Sequence, residues 1–253
     1  MMSVASGGPV EALLCDADGC LFPSEEPAFD ASAGVTNRFL AEIGAGARFT
    51  AEELRLATTG KNFRTTAKAL AAAEGKAVGP AELERWVEAE RREVTAHLGQ
   101  VLRPDPQVIE PLERLASSHT LALVSSSAMP RIEACLRATD LDGLFQEERR
   151  FSAESSLPAP AGKPDPAVYL HALERLGVVP QRALAVEDSV PGALAAVDAG
   201  CRTIGNVMFV PPGERAERAA GLECAGVIDV VSSWDELEML LEPLAPAGIG
   251  VAT

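Results

Sequence analysis

The chain has 253 residues, 47% of them hydrophobic, and its 37 acidic against 22 basic residues give a formal charge of −15 at pH 7. This composition excludes a disordered chain and allows one large core, or a core with a smaller satellite domain. The acidic excess repels phosphate backbones and anionic lipid at long range, and no basic stripe offsets it, so neither nucleic acid nor a membrane is expected as a partner.

The first apolar run, Val10 to Cys15, ends in Asp16-Ala17-Asp18-Gly19. What precedes it lacks the basic start and long apolar run of a signal peptide, and no later stretch approaches the roughly 18 apolar residues that span a bilayer. Five cysteines, Cys15, Cys20, Cys135, Cys201 and Cys224, lie at wide spacings without a CxxC pair. Together these features predict a reduced, cytoplasmic compartment.

From about Glu26 to Leu102 the text is Ala-rich and Glu/Arg-rich with helical periodicity and no strand signal. An insertion of roughly 75 residues is too long for an ordinary connection, so a helical domain is expected there. Further apolar runs follow at Leu121 to Val124, Ala183 to Val186, Cys201 to Ile204 and Val227 to Val231. Between or after them lie helical patterns at Asp105 to Ala116, Pro130 to Ala138, Asp165 to Leu176, Pro191 to Ala199 and Trp234 to Leu241. Short buried-type strands alternating with helices predict an α/β doubly wound parallel sheet. The expected organisation is a core of residues 1–25 and 101–241, a helical domain of residues 26–100 inserted after the first strand, and a loose tail at 242–253.

Chemistry-bearing residues collect where the strands end, the edge at which open α/β sheets place their ligands. Asp16 and Asp18 can bind a divalent cation, divide into an ionised nucleophile and a protonated general acid, or simply shape a turn. Ser125, Ser126 and Ser127 offer hydroxyls and amides to an oxyanion or phosphate, or else cap the helix near Pro130. Lys163-Pro164-Asp165-Pro166 holds a lysine on a stiff loop before a helix whose N-cap is expected at Asp165. Glu187-Asp188-Ser189 adds a further carboxylate cluster, which completes a hard-oxygen donor set suited to magnesium. His97, His119 and His171 are scattered and read as helix or surface residues, not ligands, while Trp86 and Trp234 lie in amphipathic text that packing explains.

In order and position, Asp16-Ala17-Asp18-Gly19, Ser125, Lys163-Pro164-Asp165-Pro166 and Glu187-Asp188-Ser189 resemble the four motifs of the haloacid dehalogenase-like hydrolase superfamily. The resemblance extends from about Val10 to Leu241 and is strongest to the subgroup with a helical cap between the first and second motifs. It implies a Rossmann-like core and a magnesium-dependent phosphatase acting on a small phosphorylated metabolite. In that scheme Asp16 is the nucleophile that forms an aspartyl phosphate, and Asp18 is the general acid and base. Ser125, Ser126 and Lys163 hold phosphoryl oxygens, and Mg2+ is bound by Asp16, the Asp18 carbonyl and Asp188, with Glu187 adjoining. Lys61, Asn62 and Arg64 of the cap are expected to contact the substrate. The phosphomutases of the superfamily also resemble the chain but carry a histidine after the first motif, where SEEPAFDAS has none. A hydrolase of carbon–phosphorus bonds that uses Lys61 for a Schiff base is the other alternative, and Asp18 argues against it. A monomer is expected.

Overall fold

The computed structural model describes residues 8–58 and 62–241, so Lys61 and the expected tail at 242–253 lie outside the described residues. The strands are β1 (Ala12–Cys15), β2 (Thr120–Ser125), β3 (Arg150–Ser152), β4 (Ala183–Glu187), β5 (Arg202–Asn206) and β6 (Asp229–Val231). The helices are α1 (Glu25–Glu42), α2 (Ala51–Thr58), α3 (Phe63–Ala73), α4 (Pro80–Val101), α5 (Pro106–Ala116), α6 (Met129–Ala138), α7 (Ala167–Leu176), α8 (Val190–Asp198), α9 (Arg215–Cys224) and α10 (Trp234–Leu241). They form two compact units. One takes the described residues up to Cys20, Asp105–Ser126 and those from Leu144 onward, and the other takes Leu21–Pro104 and Ser127–Gly143. Residues 127–143, placed with the core by the sequence boundaries, thus group with the helical unit.

The first unit is built on a six-stranded sheet in the order β3-β2-β1-β4-β5-β6, with every neighbouring pair parallel. Its central strands read as unbroken apolar text because helices bury both faces. Ala12, Leu14, Ala122, Val124, Ala183 and Ala185 pack on one side with Val168, Tyr169 and Ala172 of α7 and Ala195 and Ala196 of α8. Alternate residues such as Leu13, Leu121 and Leu123 are equally buried and point to the other face, where α5 packs on β2 and α10 packs on α5. The edge strand β3 escaped the sequence reading, since Arg-Phe-Ser is only three residues long and has no apolar run. The last strand starts at Asp229, two residues later than expected, because Val227 and Ile228 belong to the approach from α9.

Local chemistry sets the helix starts. Asp105 accepts from the Gln107 N–H at 2.9 Å with Pro106 at the first helical position, and Ser189 accepts from the Gly192 N–H at 3.2 Å to open α8. In α7 the N-cap is Pro166 and not Asp165, because the Pro-Asp-Pro turn delays the helix by one residue; the Asp165 carboxylate still accepts from the Ala167 N–H at 2.9 Å. In α6 the N-cap is Ala128, with no side-chain cap bond.

The helical unit has its own core, in which Val35, Phe39, Leu40, Ala67, Leu83 and Trp86 are buried together. Phe39 meets Trp86 edge to face with ring centroids 5.9 Å apart, and α4 packs against both α1 and α6. Among the described residues, no helix is long and apolar enough to cross a membrane.

Candidate active site

The strand order leaves β1 between β2, which leads outward to β3, and β4, which leads outward to β5, so the topological switch point lies at the C-terminal end of β1. The register then fixes which residues share that edge. Cys15 is level with Leu123 of β2 and Val186 of β4, which puts Asp16, Ser125 and Glu187 at the ends of three adjacent strands. Asp16 continues the ladder, its N–H donating to the Val186 carbonyl at 2.9 Å.

Lys163 binds this edge together. Its ammonium donates to Asp16 Oδ1 at 2.5 Å, Glu187 Oε1 at 2.5 Å and the Val124 carbonyl at 2.8 Å, so all three protons of the group are used. The Tyr169 ring lies 5.1 Å from the same nitrogen, and the Tyr169 hydroxyl donates to Glu187 Oε1 at 2.6 Å. Burial alone would lower the lysine pKa, but the charges of Asp16 and Glu187 outweigh it and hold the ammonium ionised well above its usual range. Ser126 lies on the same loop system, its Oγ accepting from the Lys163 N–H at 3.3 Å. Ser125 is buried at the end of β2.

Asp16, Glu187 and Asp188 are all buried and bring ligand oxygens within 4.8 Å of one another. Asp18 is half-buried and its carboxylate is not part of that group. Burial raises the Asp16 carboxyl pKa, Lys163 counters that and Glu187 reinforces it; Asp188 is likewise raised by burial and by the charges of Asp16 and Glu187. Three buried carboxylates therefore face two cations, Lys163 at Asp16 and Glu187 and the Arg218 guanidinium 3.5 Å from Asp188 Oδ2, an arrangement that leaves an excess of negative charge. All-oxygen donors of this hardness fit a divalent cation of the magnesium type. The site can hold a metal ion on these observations.

Two glycines make the approach possible. Gly19 has φ +81°, and a Cβ there would lie 2.5 Å from Asp188 Oδ2. Gly192 lies against the Glu187 carboxylate. Further residues of the site were not picked out by the sequence reading: Tyr169, and Arg218, whose Nη1 donates to the Asp188 carbonyl at 2.9 Å and lies 3.5 Å from Asp188 Oδ2. Tyr169 carried a faint signal, as the chain's one tyrosine on an otherwise apolar helix face shortly after the Lys163 loop.

A family model for haloacid dehalogenase-like hydrolases matches residues 10–200. The chain belongs to that family. It is 31% identical over 237 residues to the phosphorylated carbohydrates phosphatase of Thermotoga maritima, covering 93% of this chain and 100% of that protein. Protein CbbY of Cereibacter sphaeroides is 32% identical over 222 residues, 85% of this chain and 90% of that one. A crystal structure of CbbY from Rhodobacter sphaeroides with xylulose-(1,5)bisphosphate superposes with a TM-score of 0.66 at 27% identity, covering 90% of this chain and 96% of the other. The chain is thus a hydrolase of this family, and its six-stranded sheet is the family's Rossmann-like core.

The residues expected to contact substrate from the helical unit have local partners. Asn62 accepts from the Thr65 N–H at 2.9 Å as the N-cap of α3. Arg64 donates to both carboxylate oxygens of Glu84, with the Nη2 contact at 2.8 Å. His171, on α7, packs its ring edge to face on Phe151 at 5.8 Å.

Proposed function

We propose that this hydrolase is a magnesium-dependent phosphatase of a small phosphorylated metabolite, a sugar phosphate or a close analogue, working through an aspartyl phosphate on Asp16. The observation that carries it is the buried Asp16 carboxylate, held 2.5 Å from Lys163 at the switch point and within 4.8 Å of the ligand oxygens of Glu187 and Asp188. The relatives' names point the same way, that of the Thermotoga maritima phosphatase above all.

Phosphoryl transfer asks mainly for positioning and charge neutralisation. Asp16 attacks phosphorus in line while the bond to the leaving oxygen breaks, and Asp18 gives that oxygen a proton. In the second half Asp18 takes a proton from water, the water oxygen bonds to phosphorus and the bond to Asp16 breaks. Lys163 turns from the carboxylates to the phosphoryl oxygens, and the hydroxyls and amides of Ser125 and Ser126 supply further donors. Asp16, the Asp18 carbonyl, Glu187 and Asp188 would hold Mg2+, which supplies charge neutralisation at the transferring group. The helical unit, with Asn62, Arg64 and Lys61, the last outside the described residues, is the source of leaving-group selectivity.

The test is phosphate release from an aryl phosphate and from a panel of sugar phosphates, with Mg2+ and with a chelator. Free phosphate in proportion to substrate consumed supports hydrolysis. Isomerised sugar phosphate without free phosphate would make the enzyme a mutase, and undiminished release after exhaustive chelation would remove the metal from the proposal.

A further inference from the structure

Arg218 grips one residue twice. Its Nη1 donates to the Asp188 main-chain carbonyl at 2.9 Å and lies 3.5 Å from Oδ2 of the same residue, although thirty positions separate the two in the chain. A guanidinium that holds both the carbonyl and the carboxylate of one residue fixes that side chain's rotation as well as its charge.

The platform beneath it is rigid. Arg215, at the first position of α9, ties the preceding loop down by donating to the Val210 carbonyl from Nε and to the Met208 carbonyl from Nη2, each at 2.9 Å. Leu222 is buried among Ala193, Val207 and Val210. Gly221 lets the helix come close to α8, since a Cβ there would lie 3.0 Å from Val190 Cγ2. Arg218 is one turn before Gly221 and therefore faces the Asp188 end of β4. Gly19 also borders Oδ2, since a Cβ there would lie 2.5 Å from that oxygen.

We infer that Arg218 is a positioning residue for the cation site: with Gly19 it locks the rotation of Asp188 by holding its carbonyl and Oδ2, and so keeps a carboxylate oxygen of Asp188 within 4.8 Å of those of Asp16 and Glu187. The inference rests on the reading of Asp188 as a metal ligand. Partners of this kind behind a ligand typically govern metal affinity by about 10-fold to 100-fold. Both contacts come from one nitrogen, Nη1, which the planar guanidinium holds in a set direction, whereas a lysine at the same place carries its charge on a flexible stem that does not fix both.

The experiment measures Mg2+ affinity of the full chain without substrate, by displacement of Mn2+, for wild type, Arg218→Ala, Arg218→Lys and Asp188→Ala. Both Arg218 variants should bind roughly 10-fold to 100-fold more weakly than wild type at temperatures where their circular dichroism is native. In turnover, the Mg2+ concentration for half-maximal rate should rise. If Arg218→Ala fails to fold, Arg218→Lys carries the test. Wild-type or tighter affinity in Arg218→Ala overturns the inference, and so does full restoration by Arg218→Lys, which would make charge alone the cause. Asp188→Ala separates the two levels: its loss of binding with Arg218→Ala unaffected sinks only the positioning role, whereas its retention of binding sinks the cation site itself.

Discussion

Gly192 and Glu187 occupy one another's space: a Cβ built on Gly192 would overlap the carboxylate of Glu187, which lies over the first turn of α8. The absence of a side chain at Gly192 lets that carboxylate stand at the helix N-terminus, where it meets Lys163, Tyr169 and, at 3.4 Å, Ser189 Oγ. Gly192→Ala must push Glu187 off these partners. Breaking a buried charged set costs about 3–5 kcal/mol, so the variant should be strongly destabilised and inactive. Denaturant unfolding checks this, and a wild-type midpoint would contradict the crowding seen here.

Lys163 is the positive charge shared by Asp16 and Glu187. Lys163→Ala should lower turnover of every substrate by on the order of 10²-fold or more, as when one charge-stabilising donor is lost. It should also cost roughly 3–5 kcal/mol of stability in metal-free protein, because two buried carboxylates lose their counter-charge. Loss of activity with unaltered metal-free stability would show that the pairing is not structural.

Asp16→Asn should abolish turnover, since an amide cannot form the acyl phosphate, yet the metal-free protein should be at least as stable as wild type at neutral pH. The sign follows from burial: the folded state raises the Asp16 pKa, so ionisation above the unfolded value of about 4 costs stability, and a neutral amide avoids that cost. Thermal melting in a chelator is the measurement, and a clearly lower melting temperature in the variant would refute the balance of charges described here.

The apolar runs at Leu121 to Val124 and Ala183 to Val186 were legible because a strand buried on both faces writes itself as unbroken hydrophobic text, and the polar clusters after them then fell at one sheet edge. That is why Asp16, Ser125 and Glu187 could be placed together without coordinates. Tyr169 and Arg218 could not, since each reaches the site from a helix whose rotation and approach depend on packing: Tyr169 through the small Ala face of α8, Arg218 through Gly221. The strand β3 is too short to leave a pattern, and its pairing of Phe151 with Val124 is a tertiary choice. In the helical unit, nothing local in the sequence announces that Arg64 pairs with Glu84, twenty residues away.

The single tyrosine of the chain provides a spectroscopic check on the site. Burial and the charges of Glu187 and Asp16 hold the Tyr169 hydroxyl protonated well beyond its ordinary range. Free tyrosine ionises near about pH 10, so the folded protein should show no tyrosinate absorbance there and should gain it only on alkaline unfolding. Tyr169→Phe removes a hydrogen bond to a buried carboxylate, worth about 1.5–3 kcal/mol. Reversible ionisation near pH 10 in native protein would place the hydroxyl elsewhere.

Glu90 offers a test of the helical unit that is independent of the chemistry. It sits half-buried on α4, accepting from Ser32 Oγ of α1 at 2.9 Å. Its pKa is raised by burial, against which the Ser32 hydrogen bond and the charges of Arg131 and Arg91 are insufficient. A carboxyl raised on folding binds its proton more tightly in the folded state, so its stabilising contribution is fully present below the unfolded pKa and is lost as pH rises through the folded one. Glu90→Gln keeps an oxygen for Ser32 and has no charge to bury. The variant should therefore match wild type near about pH 4 and become more stable as pH rises to neutrality, each kcal/mol showing as roughly 2–4 °C in melting temperature for a chain of this size. Melting curves of both proteins across that range decide it: if the variant melts below wild type at neutral pH, the ionised Glu90 is a net stabiliser held by Arg131 and Arg91, and burial does not dominate.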